Sequence, residues 1–236
     1  MTSFPNGGLY RRATAAALVA GPLLFLIDNV IHPKEYTRDH EAQQLAEIGE
    51  AYTRWQLAHA LGFLALIIIA AAVLGLAFLV RRHRPTLGLV GGALGIVGLL
   101  AGAAVFAIDG YMWGVLGEVS TRPGVDRETL EVTLHEVQNS SWSLVYYLPV
   151  LVWIVGVTTL AIGAARYAGV PRLAGGVLAL GALMVGIESG VISNAYFIVA
   201  AAVWLVGGVL MAAAIARMSD AEFTGQSAGR SGSVSP

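Results

Sequence analysis

The sequence predicts an all-α polytopic membrane protein, with six transmembrane helices arranged as three helical hairpins and both termini cytoplasmic. Three observations carry this. Of 236 residues, 56% are hydrophobic and only 12% are charged, and mean hydropathy is +0.71; soluble domains carry about 25% charged residues. The apolar residues fall in six long runs, each close to the roughly twenty residues that a bilayer crossing needs. The arginines gather at one set of run ends and the acids at the other.

Residues 1–12 form a polar lead ending in Arg11-Arg12, followed by a six-helix bundle over residues 13–216. The first span, 13–32, has an apolar core too long for a cleaved signal, and Pro22 inside it is tolerated as a kink. His32-Pro33 ends it. The outer loop 33–54 is polar. Within it, Asp39 to Gly49 reads as a short helix with a narrow apolar face of Ala42, Leu45, Ala46 and Ile48. The second span, 55–80, opens on Trp55, a residue type that favours the interface, and ends in the basic turn Arg81-Arg82-His83-Arg84-Pro85.

The third span, 86–109, stays apolar to about Val119, so its helix is expected to project past the membrane. In the second outer loop, 110–141, Pro123-Gly124 marks a turn and Asp126 is suited to N-cap a polar helix over 127–139. Spans four to six are expected at 142–165, 173–191 and 194–216, with Pro149 inside the fourth and a basic loop from Arg166 to Arg172. Residues 217–236 are rich in Ser and Gly and read as a disordered cytoplasmic tail.

Arg11, Arg12, Arg81, Arg82, Arg84, Arg166, Arg172 and Arg217 all flank the side that holds the termini. Cytoplasmic loops carry the excess of arginine and lysine, which puts that side in the cytoplasm and the two long acidic loops outside. Thirteen arginines against a single lysine, Lys34, point to a bacterial, high-GC coding bias, so the membrane is read as the cell (inner) membrane. A net charge of −1 offers nucleic acid no attraction. The absence of cysteine removes disulfides, thiolate metal sites and cysteine nucleophiles.

Gly88, Gly91, Gly95, Gly98 and Gly102 recur in steps of three and four, forming one stripe along the third span. Such stripes let helix backbones approach, so this helix is expected to be the central one. The stripe climbs to Ile108-Asp109-Gly110. Similar phrases occur at Ile27-Asp28-Asn29 and Ile187-Glu188-Ser189, with the acids 81 and 79 residues apart. All three acids fall near the outer ends of outward-running helices, which is the basis for three repeated hairpins. Either they sit separately at the interface, where charge costs little, or they converge on one outward-opening polar cavity.

Histidines lie nearby. His32 follows Asp28 by four residues, and His59 is one turn into the second span. Glu131 and His135 repeat the acid–histidine spacing on the outer polar helix. That i, i+4 spacing suits two ligands to one metal, and His32 with His59 is the candidate pair for haem. Trp113, Trp142, Tyr146 and Tyr147 collect at the same end. They form an interfacial belt or wall a binding pocket for an apolar or cationic ligand.

The reading that joins these features is an integral membrane protein with an outward-facing pocket of ionisable residues. It would handle a small molecule or lipid, with Asp28, Asp109 and Glu188 as acid/base or ligand-binding groups and His32, His59, Trp113, Trp142 and Tyr146 around them. Whether the site is catalytic stays open, because no DDxxD pair, nucleophile elbow or phosphate loop is present. The alternatives are a proton-coupled transporter, a metal- or haem-binding protein using His32, His59, Glu131 and His135, and an accessory structural subunit.

Overall fold

The computed structural model of the chain describes residues 6–33, 41–140, 144–187 and 194–225, and among these every regular element is a helix. In chain order they are α1 (Gly7–Ile31), α2 (Glu41–Glu50), α3 (Tyr52–Arg81), α4 (Pro85–Ser120), α5 (Arg127–Asn139), α6 (Leu144–Tyr167), α7 (Arg172–Gly186), α8 (Asn194–Arg217) and α9 (Asp220–Thr224). Five of them, α1, α3, α4, α6 and α8, are long and apolar enough to cross a membrane. The sixth expected span differs. Helix α7 has 15 residues and closes at Gly186, with Ile187 as its C-cap, and positions 188–191 of that expected span lie outside the described residues.

The six apolar helices form a closed ring in which α1, α3, α4, α6, α7 and α8 each pack on the next and α8 returns to α1. Neighbours are antiparallel throughout. On α3 and α4, Ala77 lies by Gly92 and Leu66 by Gly102; on α7 and α8, Leu178 lies by Gly207 and Gly181 by Trp204. Helix α3 also reaches across the ring to α6. The glycine-striped α4 packs closely on both α3 and α6 and also carries α2. The stripe wedges α4 between α3 and α6. A Cβ at Gly98 would lie 2.8 Å from the Pro149 oxygen of α6, one at Gly95 would lie 2.7 Å from Val73 Cγ1 of α3, and one at Gly156 would lie 2.5 Å from Gly95 Cα.

The interior of the ring is apolar, with Leu18, Val73, Leu76, Val157, Leu178 and Trp204 buried around its centre. Trp204 stacks on Trp153 at 5.2 Å and meets Phe25 edge-on at 5.6 Å.

Helix α4 continues past the ring, as its long apolar run predicts; its 36 residues extend about 54 Å. Its outer end carries α2 and α5 as a small cap with its own core of Leu45, Ile48, Trp55, Trp113 and Leu134. Leu45 and Ile48 are the expected apolar face of α2, although Ala46 of that face stays exposed. Asp126 caps α5 as expected, accepting from the Thr129 amide at 3.2 Å and the Thr129 hydroxyl at 2.6 Å. These hydrogen bonds, the side-chain one first, hold its carboxyl below the usual range.

Two expected boundaries are corrected at the other end. The lead 1–12 is already helical from Gly7, and the tail 217–236 is not disordered from its start. Ser219 and Glu222 form a reciprocal capping box that starts α9, and Gly225 at φ 74° ends it in the left-handed conformation. Phe223 on this helix is fully buried against Phe78, with ring centroids 6.0 Å apart. Arg82 donates to the carbonyls of Glu222 and Phe223. Arg11 bonds Asp220 at 2.9 Å and the Ala216 carbonyl at 2.6 Å. The Ser/Gly composition hid this short clasp because its order rests on tertiary partners.

Three variants separate packing from polar contributions. Gly95→Leu is expected to cost about 1–3 kcal/mol or more through overpacking, and Phe223→Ala about 3–5 kcal/mol through the cavity it leaves. Asp109→Asn, which keeps shape and hydrogen bonding, is expected to cost less than either. Thermal unfolding in detergent orders the three; equal midpoints for Gly95→Leu and Asp109→Asn would refute a close-packed stripe.

Candidate functional site

Three neighbouring helices meet at the cap end with Asp28 on α1, His59 on α3 and Asp109 on α4. Asp28 and His59 are buried, at 2% and 5% exposure, although both are ionisable. Asp109 keeps an open edge, with 29% of its side chain accessible. The helices come this close because glycines face the side chains. A Cβ at Gly62 would lie 3.0 Å from Asp28 Oδ2, and one at Gly110 would lie 2.7 Å from His59 Cγ.

His59 is held at both nitrogens. Nδ1 is 3.0 Å from the Trp55 carbonyl oxygen, and Nε2 is 3.1 Å from Asp109 Oδ2. A carbonyl only accepts, so Nδ1 carries a hydrogen. Nε2 and Oδ2 then need one more proton between them, on the imidazole or on the carboxyl, because two bare acceptors do not hydrogen-bond. Asp109 is the member of the pair that reaches the surface. The Asp28 carboxylate lies within electrostatic range of the same imidazole.

Aromatic rings close the surroundings. The His32 ring lies 5.0 Å from the His59 ring and 4.9 Å from Trp55, and Trp55 lies 4.3 Å from His59. Phe106 covers the inner side of His59 at 5.8 Å. His32 sits just past the end of α1, where its Nδ1 donates to the Pro33 carbonyl at 2.8 Å. Its ring rests directly on that of His59, which leaves no slot for a porphyrin between the two.

The remaining sequence candidates are placed elsewhere or not described. Trp113 is buried in the cap core, so it serves packing and is not a belt residue. Glu131 and His135 stand on α5, and among the described residues no group of three or more histidines, aspartates and glutamates is placed to hold a metal. Trp142 and Glu188 lie outside the described residues, as does the side chain of Tyr146. Trp55, Gln56 and Phe106 were missed as site residues. Of these, only Trp55 had a signal in the sequence, lying one helical turn before His59.

Comparison with family models, curated proteins and solved structures gives no match. The site therefore has to be interpreted from its own chemistry. A histidine and two carboxylates, one of them accessible, form an acid–base group that can give or take a proton at the edge of a packed bundle.

The carbonyl of Trp55 fixes the tautomer. Histidine-selective 15N NMR, with His59 assigned by loss of its signal in His59→Gln, is expected to show Nδ1 protonated across the whole pH range in which the fold persists. A neutral His59 protonated only at Nε2 would contradict the hydrogen-bond assignment.

Proposed function

We propose that this is an integral membrane protein with six crossings, α1, α3, α4, α6, α7 and α8, and with both termini in the cytoplasm. Support comes from the end of the ring opposite the cap. Arg11 bonds Ala216 there, Arg82 bonds the end of α9, and Arg84 stacks on Tyr167 at 4.7 Å. These contacts gather the basic termini of α1, α3, α4, α6 and α8 at one face, which the positive-inside rule assigns to the cytoplasm. Since α6 and α8 both end there, α7 is the element proposed to carry the chain back across.

At the outer end, the cluster of Asp28, His59 and Asp109 is proposed to work as an intramembrane acid–base site on a small molecule or lipid. The observation that carries this is the His59–Asp109 contact, which requires a shared proton and leaves one carboxylate edge accessible. A one-sided site fits better than a transport path, because Phe25, Trp153 and Trp204 fill the ring below it. Glu188 is proposed to belong to the same end.

Two measurements test these statements. The chain has no cysteine, so single cysteines at Arg122 and His83 report sidedness cleanly. An impermeant maleimide is expected to label Arg122→Cys in intact spheroplasts and His83→Cys only after lysis; the reverse order would invert the topology. For the chemistry, purified protein in nanodiscs of bacterial lipid extract is incubated in D2O, and the lipids are read by mass spectrometry. Wild type is expected to convert or deuterate a lipid species at least about 100-fold faster than Asp109→Asn or His59→Gln, the usual scale of acid–base catalysis. Identical lipid profiles in all three would overturn the reading of a lipid as the substrate of this acid–base site.

A further inference from the structure

The Gly110 carbonyl, next in sequence to Asp109, accepts two side-chain hydrogen bonds from α3. Trp55 Nε1 donates at 3.1 Å and Gln56 Nε2 at 2.9 Å. We propose that this doubly held carbonyl sets the register of α4 on α3, so that Trp55 and Gln56 are positioning residues for the His59–Asp109 pair. The inference rests on the acid–base reading of that pair and adds to it the means by which its two members are kept in contact.

Several features converge on this point. The two donors are adjacent on α3, and together they fix the peptide unit between Gly110 and Tyr111, one residue beyond Asp109. The same Trp55 also supplies, through its carbonyl, the acceptor for His59 Nδ1. One residue thus sets the histidine at one nitrogen and helps place the aspartate at the other. The glycines of α4 make room for each partner. Gly110 clears the space for His59, while Gly114 faces the Gln56 amide, whose Cδ would lie 3.4 Å from a Cβ there. A slip of either helix along the other would break both bonds to Gly110 together with the bond to Asp109.

Trp55 reaches further still. Its ring belongs to the cap core with Leu45, Ile48, Trp113 and Leu134. The arrangement of α2 and α5 on the outer end of α4 is therefore felt at the site through one side chain. Burial at 2% leaves its indole N–H no water in exchange for Gly110, so loss of the bond is not made good by solvent.

The test is histidine-selective 15N and 1H NMR on full-length protein in nanodiscs, reading the hydrogen-bonded Nε2 of His59. Trp55→Phe keeps the buried ring and removes the donor; Gln56→Met keeps the volume and removes the other. Trp113→Phe, inside the cap core, is the control for cap packing alone. Each single variant is expected to shift the His59 Nε2 signal towards its unbonded position, the double variant is expected to lose the bonded signal, and the control is expected to retain it. A wild-type signal in the folded double variant would overturn the positioning role. If the double variant does not fold, an unshifted signal in both single variants would overturn it equally. Absence of the bonded signal in the wild-type protein is a different result, because it removes the acid–base pair itself.

Discussion

Where Gly156 of α6 meets Gly95 of α4, the α4 backbone leaves no room for a side chain: a Cβ at Gly156 would lie 2.5 Å from Gly95 Cα. The same kind of contact recurs around the ring. Gly208 of α8 faces the Leu18 carbonyl of α1, Gly175 of α7 faces the Ala161 carbonyl of α6, and Gly75 of α3 faces Thr14 of α1. Within lipid, apolar side chains gain little by leaving one apolar medium for another, so helices associate through dispersion at close range. Glycine is the residue that permits that range. The closed ring depends on these approaches, because every neighbouring pair needs at least one to bring two helices into dense contact.

The acid–histidine site inherits the constraint. Gly62 and Gly110 bring α1, α3 and α4 together at the level where Asp28, His59 and Asp109 project. Close approach removes water from two of the three groups, and in that environment an ion pair or shared proton interacts more strongly than it would in bulk solvent. Burial of an ionisable group without a partner is expensive, which is why both nitrogens of His59 are engaged. The glycines thus create both the packing and the conditions under which a buried proton-sharing pair is worth having.

Periodicity and charge made much of this legible. The stripe of Gly88 to Gly102, the acid Asp28 near the end of its helix, the extension of α4 and the Asp126 cap were all readable from local pattern, whereas Asp109 lies about three turns before the end of α4. What was not legible depended on which helices become neighbours. The glycine stripe named a close-packed helix but not its partners, which are α3 and α6. Residues 220–224 look like any polar tail until Phe223 finds Phe78 and Arg82 finds the helix end. His59 could be matched to Asp109, and not only to nearby Asp28, once α3 and α4 were known to be adjacent and antiparallel. The Trp55 and Gln56 bonds to Gly110 join a side chain to a backbone atom more than fifty positions away, and such bonds leave no mark on composition.

Depth explains why the site has a cap. From His59 to Arg81 on α3 is 22 residues, or about 33 Å of helix; from Pro85 to Asp109 on α4 is 24 residues, or about 36 Å. A hydrocarbon core is about 30 Å thick. Under the proposed topology, with the arginines at the cytoplasmic face, both residues reach the outer boundary, where a charge costs less than at mid-bilayer. Bare helix ends at that boundary would be wet. Instead, the outer end of α4 carries α2 and α5, and Trp55 belongs both to their core and to the wall around His59. At the proposed depth the site would avoid the cost of mid-bilayer burial, and the cap packed over it supplies burial instead. Under that topology the proposed acid–base pair would face the outer leaflet through the accessible edge of Asp109, while His59 beside it is buried among Trp55, His32 and Phe106.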